Sequence, residues 1–197
     1  MRRLVLASAS PARRFLLENA GLAPEVVVSH AAEDGTDHLR PADAVAELAR
    51  RKGRTVAERL DRPDALVLAC DSMLEFAGEC WGKASSREEV VARWHRLRGG
   101  RGLLHTGHYL LDAADGREAM RTDTAVVHFG RPDDDEIMAY AATAESLQVA
   151  GPFTLEGRSA PWIDAIEGSY GTITGVSLAV VRELLGQLGV RLVDLWR

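Results

Sequence analysis

Hydroxyl and guanidinium groups lie close together near the beginning of the chain. The segment 6–14 reads Leu-Ala-Ser-Ala-Ser-Pro-Ala-Arg-Arg, so Ser8 and Ser10 precede Arg13 and Arg14. A serine followed by proline is typical of a helix N-terminus, where free amide groups attract anions. Arginine adds planar paired donors for phosphate oxygens. The pattern therefore indicates a phosphate site, with an ordinary capped helix bearing surface arginines as the common alternative.

A second candidate is a carboxylate that follows an apolar run. Residues 65–70 predict a strand covered on both faces, ending at Asp71 and Ser72. Open α/β sheets commonly bind ligands at the ends of their strands. Asp71 in that place could hold a divalent metal or accept a proton from an attacking water. The alternative is an aspartate that caps the turn after the strand.

Three further charged residues are candidates of lower specificity. Lys52 and Lys83 are the two lysines among 24 basic residues, and Glu33 lies in a polar loop. In a chain that otherwise uses arginine, a lysine can indicate a need for a compact point charge against phosphate oxygens. Chance retention of either lysine and a solvated surface charge remain the alternatives.

A glycine-bracketed loop follows later in the chain. Gly151 and Gly157 enclose Phe153 and Glu156, and glycine permits close approach of the backbone to a ligand. Such a loop could form the wall of a base pocket, in which a glutamate would accept hydrogen bonds from a guanine-like edge. The alternative is an ordinary turn with a buried phenylalanine.

The histidines and cysteines predict no metal site. His105 and His108 flank Thr-Gly in a strand pattern, without a third ligand at a recognisable spacing. Cys70 and Cys80 fit no zinc pattern and cannot form a disulfide framework, which favours packing roles in a reducing compartment.

The elements that must position these residues follow from local patterns. Strands are predicted at 3–7, 24–29 and 65–70, and helices begin at Pro11 and run over 41–60, 86–98, 132–144 and 176–188. Hairpins are predicted over 73–81 and over 103–129 around Asp-Gly, with a short run at 162–166. No linker or repeat divides the chain, so we expect a single α/β domain over residues 1–197.

The composition is that of an ordinary globular protein. Apolar residues make up 46% of the chain, charged residues 27%, and the formal net charge is −5. An acidic surface argues against a nucleic-acid polymer as partner. The first apolar stretch, residues 4–7, is too short for a signal peptide or a membrane span, so we expect a cytoplasmic protein without a membrane partner.

Taken in order along nearly the whole chain, these pieces resemble the Maf, or septum-formation, family of nucleotide pyrophosphatases. Its most specific signature, Leu-Ala-Ser-x-Ser-Pro-x-Arg-Arg, is similar to residues 6–14. Glu33, Lys52, Asp71 and Lys83 occur in the family's order. Segments 106–107, 150–157, 167–168 and 175–178 are similar to its later motifs.

The resemblance implies an α/β, two-lobed Maf/ITPase-like fold with a central mixed β-sheet flanked by helices and a cleft between the lobes. It implies hydrolysis of a nucleoside triphosphate between its α and β phosphates to a monophosphate and pyrophosphate, a Mg²⁺ or Mn²⁺ requirement and a homodimer. The residue roles that it implies are catalysis and metal binding by Asp71 and Glu33, and substrate binding by Ser8, Ser10, Arg13, Arg14, Lys52, Ser72, Lys83 and Glu156.

Some positions depart from the family pattern and concern the substrate. Ser72 stands where relatives more often have Thr or Gln, Ala84 where Pro is usual, and Gly102 where many have His. Glu156 replaces the Gln typical of members acting on dTTP and UTP, which is similar to the branch acting on 7-methyl-GTP. Ser72 does not fit that branch, so a canonical, a modified or a broad range of nucleotides is left open.

A function of another class is compatible with the same residues. A nucleotide-binding regulator of septum formation would use the pocket to bind its ligand without obligatory turnover. Such a regulator should tolerate loss of the Asp71 carboxylate, whereas an enzyme should not. The presence of this carboxylate favours the enzyme.

Overall fold

The computed structural model describes residues 2–60 and 62–197. Its strands are β1 Arg3–Leu6, β2 Glu25–Val26, β3 Ala65–Phe76, β4 Glu79–Trp81, β5 Arg101–Asp112, β6 Glu118–Phe129 and β7 Ile163–Glu167. Its α-helices are α1 Pro11–Asn19, α2 Pro41–Arg59, α3 Arg87–Leu97, α4 Asp134–Ala141, α5 Tyr170–Thr174 and α6 Leu178–Gln187. Short 3₁₀ turns occupy Glu145–Leu147, Ala160–Trp162 and Leu192–Leu195.

Local capping explains where several helices begin. The Ser10 side chain accepts the amide hydrogen of Arg13 at the start of α1, and the Ser86 side chain accepts that of Glu89 at the start of α3. Asp133 and Glu136 form a reciprocal capping box at the start of α4, so this helix begins two residues later than the sequence predicts. The predicted helix starts at residues 11 and 41 are confirmed.

The strands form a mixed sheet in the order β2-β1-β3-β5-β6-β7, with β4 paired to β3. Strand β1 is parallel to β2 and β3, whereas β3 with β4 and β6 with β7 are antiparallel. The predicted α/β class with a central mixed sheet flanked by helices is therefore confirmed. The predicted strand at 24–29 is shorter than expected, since only Glu25–Val26 pairs with β1.

The prediction that the third strand ends at Asp71 is wrong. Strand β3 continues to Phe76, because Leu74 pairs with Trp81 of β4 and is fully buried. Up to Asp71 every residue of the strand is buried, whereas beyond it burial is confined to Leu74. The polar Asp71 and Ser72 therefore mark a change in how the strand is covered, and not its end.

The chain divides into two compact units. The first comprises Met1–Asp71, Thr106–Asp123 and Thr174–Arg197, and the second comprises Ser72–His105 and Thr124–Ile173. That residues 1–197 fold as a single domain stays a prediction.

Each unit has its own hydrophobic core. In the first unit, residues from β1 and β3 pack against α1 and α6, and a second cluster lies against α2. In the second unit, aromatic rings meet edge to face around Trp94, which contacts Phe129, Tyr140 and Trp162. Edge-to-face pairs add geometric preference to burial, so they fix the orientation of α3 within that unit.

Two glycines allow α2 to lie very close to strand β5 in the first unit. A Cβ atom at Gly53 would come within 2.3 Å of the Tyr109 ring, and one at Gly107 within 2.3 Å of the Val45 carbonyl oxygen. Real Cβ atoms do not approach other heavy atoms so closely. The absence of side chains at these positions therefore sets the distance between the helix and the sheet.

We predict that Gly107→Ala destabilises the protein by about 1–3 kcal/mol, the usual cost of overpacking. The obstructing atoms are the backbone of α2, Val45 and Ala46, which cannot rotate away. Gly186→Ala is the matched control, because nothing lies within 4 Å of its Cβ position and alanine favours the helix. Urea unfolding of both variants measures this, and equal stability of Gly107→Ala and the wild type would contradict the packing argument.

Candidate active site

A lysine ammonium group lies between two carboxylates in the first unit. Lys52 Nζ is 2.5 Å from Asp71 Oδ1 and 2.6 Å from Glu33 Oε1. The side chains of Lys52 and Asp71 are 14% and 11% exposed, whereas that of Glu33 is 63% exposed. The cluster thus has a sheltered pair and one member at the surface, which is an arrangement open to a charged ligand.

Three different elements bring this cluster together. Lys52 follows Leu48 by four residues and Ala49 by three, so it continues the buried stripe of α2. Asp71 is in β3, and Glu33 lies in the loop between β2 and α2. The close approach of α2 to the sheet lets the long lysine side chain reach Asp71.

Burial raises the pKa of the Asp71 carboxyl above its ordinary value. Lys52 opposes this effect through its charge and its hydrogen bond, Arg13 opposes it through charge, and Glu33 reinforces it. A buried carboxylate whose pKa is raised and that has cations beside it is a candidate proton acceptor or cation ligand. The predicted catalytic pair Asp71 and Glu33 is thus brought together around one cation.

The guanidinium of Arg13 is fixed by backbone and side-chain acceptors. Its Nε donates to the Gly175 carbonyl at 2.8 Å, and its Nη1 donates to the Cys70 carbonyl at 2.7 Å and to Ser8 Oγ at 3.0 Å. Ser8 is buried at the end of β1, and Cys70 directly precedes Asp71. The structure therefore places Ser8 and Arg13 beside the residue next to Asp71.

The other residues of the opening motif have different surroundings. Ser10 caps α1 through its hydroxyl, which accepts the Arg13 amide hydrogen at 3.4 Å. Arg14 forms an ion pair with Glu18 at 2.7 Å, and more than half of its side chain is exposed. Within the described residues, Ser10 is therefore an ordinary helix cap and Arg14 an ordinary surface arginine.

The remaining sequence-predicted site residues belong to the second unit. Lys83 pairs with Ala150 in an isolated β-bridge, and Ser72 follows Asp71 directly in β3. Glu156 is exposed and accepts a hydrogen bond from the Tyr170 hydroxyl at 2.6 Å. Phe153 is buried against Phe129, which agrees with the alternative of an ordinary turn with a buried phenylalanine.

His108 is a residue of this region to which the sequence assigns no role. It is fully buried, and its Nε2 accepts the backbone amide hydrogen of Ser177 at 2.8 Å. Burial and then the charge of Arg13 lower the pKa of His108 to about 4, against weaker opposing effects of the Arg121 and Thr106 carbonyls and Asp123. The ring is therefore neutral near pH 7 and acts as an acceptor. Its strand pattern predicts burial but does not identify its partner.

The cluster suits a hard divalent cation only in combination with a substrate. No group of three or more His, Cys, Asp or Glu side chains forms a metal site within residues 2–60 and 62–197. Asp71 and Glu33 nevertheless direct two carboxylates at the same ammonium cation. Mg²⁺ is commonly held by one or two carboxylates with water and substrate phosphates in the other positions, so these residues fit it.

Comparison with known proteins gives sequence matches over nearly the whole chain. The model of the family described as Maf-like protein matches residues 3–188. Proteins named nucleoside triphosphate pyrophosphatase from Streptomyces avermitilis and Streptomyces coelicolor are 51% and 50% identical, over 99% of this chain and 95% of each relative. One from Salinispora tropica is 46% identical over 98% of this chain and 87% of the relative. None of the helices in the described part of the chain is long and apolar enough to cross a membrane.

We predict that His108 makes stability fall in acid. Its pKa is about 4 in the folded protein against 6.5 in its ordinary state, so between these values the unfolded chain binds the extra proton. The stabilisation is complete above pH 6.5 and is lost as the pH falls towards 4, by at most about 1.4 kcal/mol per pH unit. Denaturant unfolding at several pH values should show a shallower slope for His108→Gln than for the wild type. Identical slopes would contradict the burial of a neutral ring.

Proposed function

This chain belongs to the Maf-like protein family and is a nucleoside triphosphate pyrophosphatase, and from that premise we propose that Asp71, Glu33 and Lys52 form its catalytic centre. The observation that carries the proposal is the ammonium group of Lys52 held by both carboxylates. Buried ion pairs contribute little net stability, because desolvation offsets their attraction. Chemistry therefore explains this cluster better than stability does.

In the proposed reaction Asp71 orients a water molecule and accepts its proton. The water oxygen forms a bond to the α-phosphorus as the α–β anhydride bond breaks, which gives a nucleoside monophosphate and pyrophosphate. The raised pKa of Asp71 favours this role, since a more basic carboxylate is a better proton acceptor.

Cationic and hydroxyl groups are proposed to bind the phosphates. Lys52 and Arg13 would stabilise negative charge on the departing pyrophosphate, and Ser8 holds Arg13 for that task. We propose further phosphate contacts for Lys83 and Ser72. The surface ion pair of Arg14 and the capping contact of Ser10 support only weak roles for these two residues.

Mg²⁺ or Mn²⁺ is the proposed cofactor, with Asp71 and Glu33 as its protein ligands. When bound there, the metal would neutralise phosphate charge as a Lewis acid. Lys52 contacts both of these carboxylates, so its ammonium group would lie beside the bound metal and the phosphates.

Glu156 is the proposed contact to the base. Its Oε1 accepts the Tyr170 hydroxyl, which fixes the carboxylate in one orientation. An ionised glutamate only accepts hydrogen bonds, so it favours bases that present N–H groups, such as guanine and its modified forms. We therefore propose a guanine-type nucleotide among the substrates.

The cellular setting is also a proposal. Within the described residues neither buried Cys70 nor exposed Cys80 forms a disulfide, which is compatible with a reducing cytoplasm. We propose that the enzyme acts there as a homodimer.

We predict that Asp71→Asn lowers pyrophosphate release by about 10²-fold or more, a loss typical of one preorganised group. Asp64→Asn is the matched control, because Asp64 precedes the same strand and its half-exposed side chain forms ion pairs with Arg3 and Arg62. The assay uses Mg²⁺ or Mn²⁺ with dTTP, UTP, CTP, GTP and 7-methyl-GTP, and the rank order reports on Glu156.

Wild-type turnover by Asp71→Asn at saturating metal would refute the role of Asp71. Folded wild-type protein that binds nucleotide but releases no pyrophosphate from any of these substrates would instead support the regulator of septum formation.

A further inference from the structure

A series of hydrogen bonds connects His108 to the arginine beside the catalytic centre. The imidazole Nε2 accepts the Ser177 amide hydrogen at 2.8 Å, and two residues earlier the Gly175 carbonyl accepts Arg13 Nε at 2.8 Å. All four residues belong to the first unit. The turn formed by Gly175, Val176 and Ser177 therefore contacts the His108 side chain at one end and the Arg13 side chain at the other.

The turn is anchored on the side of helix α6. Gly175 has a φ of +102°, a conformation that residues with a side chain rarely adopt. Val176 is fully buried, and α6 follows directly with Val180 and Val181 in the core. The direction of the Gly175 carbonyl thus depends on how the Ser177 amide at the other end of the turn is held.

We propose that His108 is a positioning residue for the hydrolytic reaction, because its Nε2 fixes the turn whose Gly175 carbonyl orients the Arg13 guanidinium. The inference rests on the proposed phosphate contact of Arg13. His108 touches neither substrate nor metal in this account. It acts through a backbone turn on the side chain of Arg13, which is the residue proposed to contact the phosphates.

A neutral imidazole suits this place for electrostatic reasons. A protonated ring would lose its acceptor atom and would repel the nearby Arg13 guanidinium, and both burial and Arg13 lower the pKa of His108. The Arg121 and Thr106 carbonyls and the Asp123 carboxylate raise this pKa, but their effect is weaker. The ring therefore remains an acceptor near pH 7.

A purely structural role is the competing explanation, since a buried amide without an acceptor destabilises any fold. Two substitutions separate these roles. His108→Gln keeps an acceptor oxygen on a side chain of similar reach, whereas His108→Leu keeps the volume without the acceptor. Thermal unfolding and circular dichroism identify the temperature at which every variant is folded.

The test is a double-mutant cycle with Arg13→Met, read as kcat/KM for pyrophosphate release from GTP with Mg²⁺. We expect His108→Leu to lower kcat/KM about tenfold in the wild-type background and less than about twofold when Arg13 is already replaced, since coupled residues are non-additive. His108→Gln should retain activity within about twofold of the wild type. Equal losses from His108→Leu in both backgrounds would overturn the proposal, as would a loss in His108→Gln as large as in His108→Leu.

Hydrogen exchange of the Arg13 Nε–H, followed by NMR, is the second readout. We expect slow exchange in the wild type and in His108→Gln, and faster exchange in His108→Leu. Unchanged exchange in His108→Leu would overturn the positioning role even if activity falls. Full activity of Arg13→Met would instead refute the phosphate contact of Arg13, and exchange alone would then decide whether His108 orients the guanidinium.

Discussion

The ammonium group of Lys52 between Asp71 and Glu33 is the interaction on which the rest of the site depends. Two carboxylates near each other repel, and burial alone would favour protonation of Asp71. The charge and the hydrogen bond of Lys52 oppose the rise in the Asp71 pKa that burial causes, and the side chains of Lys52 and Asp71 are sheltered, with exposures of 14% and 11%. Arg13 adds a second cation whose position is set by backbone carbonyls and a serine hydroxyl.

Packing in the first unit is the condition for this electrostatic arrangement. Helix α2 reaches the sheet closely because Gly53 and Gly107 leave room for Tyr109 and for the helix backbone. Lys52 is adjacent to Gly53, so the same close approach brings its side chain to Asp71. The position of α2 against the sheet therefore also sets the contact between Lys52 and Asp71, which influences the pKa of the Asp71 carboxyl.

Local chemistry made part of this structure predictable from the sequence. The serine cap before α1, the Asp-Gly hairpin and the amphipathic helix that carries Lys52 are each predicted from residues that are near one another in the sequence. The resemblance of the ordered motifs indicated the family. The rarity of lysine singles out Lys52, which contacts two carboxylates in the structure, whereas its contact to phosphate stays a prediction.

Other features depend on contacts that no short pattern contains. Asp71 and Ser72 are typical of a strand end, yet β3 continues because β4 pairs with it beyond them. The carbonyl that holds Arg13 belongs to a residue 162 positions away. His108 differs little in its local sequence from a core histidine, and Phe153 is buried by partners that the glycine-bracketed loop does not reveal.

The most direct measurement of the central interaction is the pKa of the Asp71 carboxyl, followed by NMR in metal-free wild type and in Lys52→Met. We expect a value above the ordinary 3.8 in the wild type, because burial dominates, and a further rise when the lysine charge is removed. Since protonation then occurs at higher pH, the ionised fraction at a given acid pH should be smaller in the variant. A pKa of 3.8 or below, or one that does not respond to loss of Lys52, would contradict this expectation.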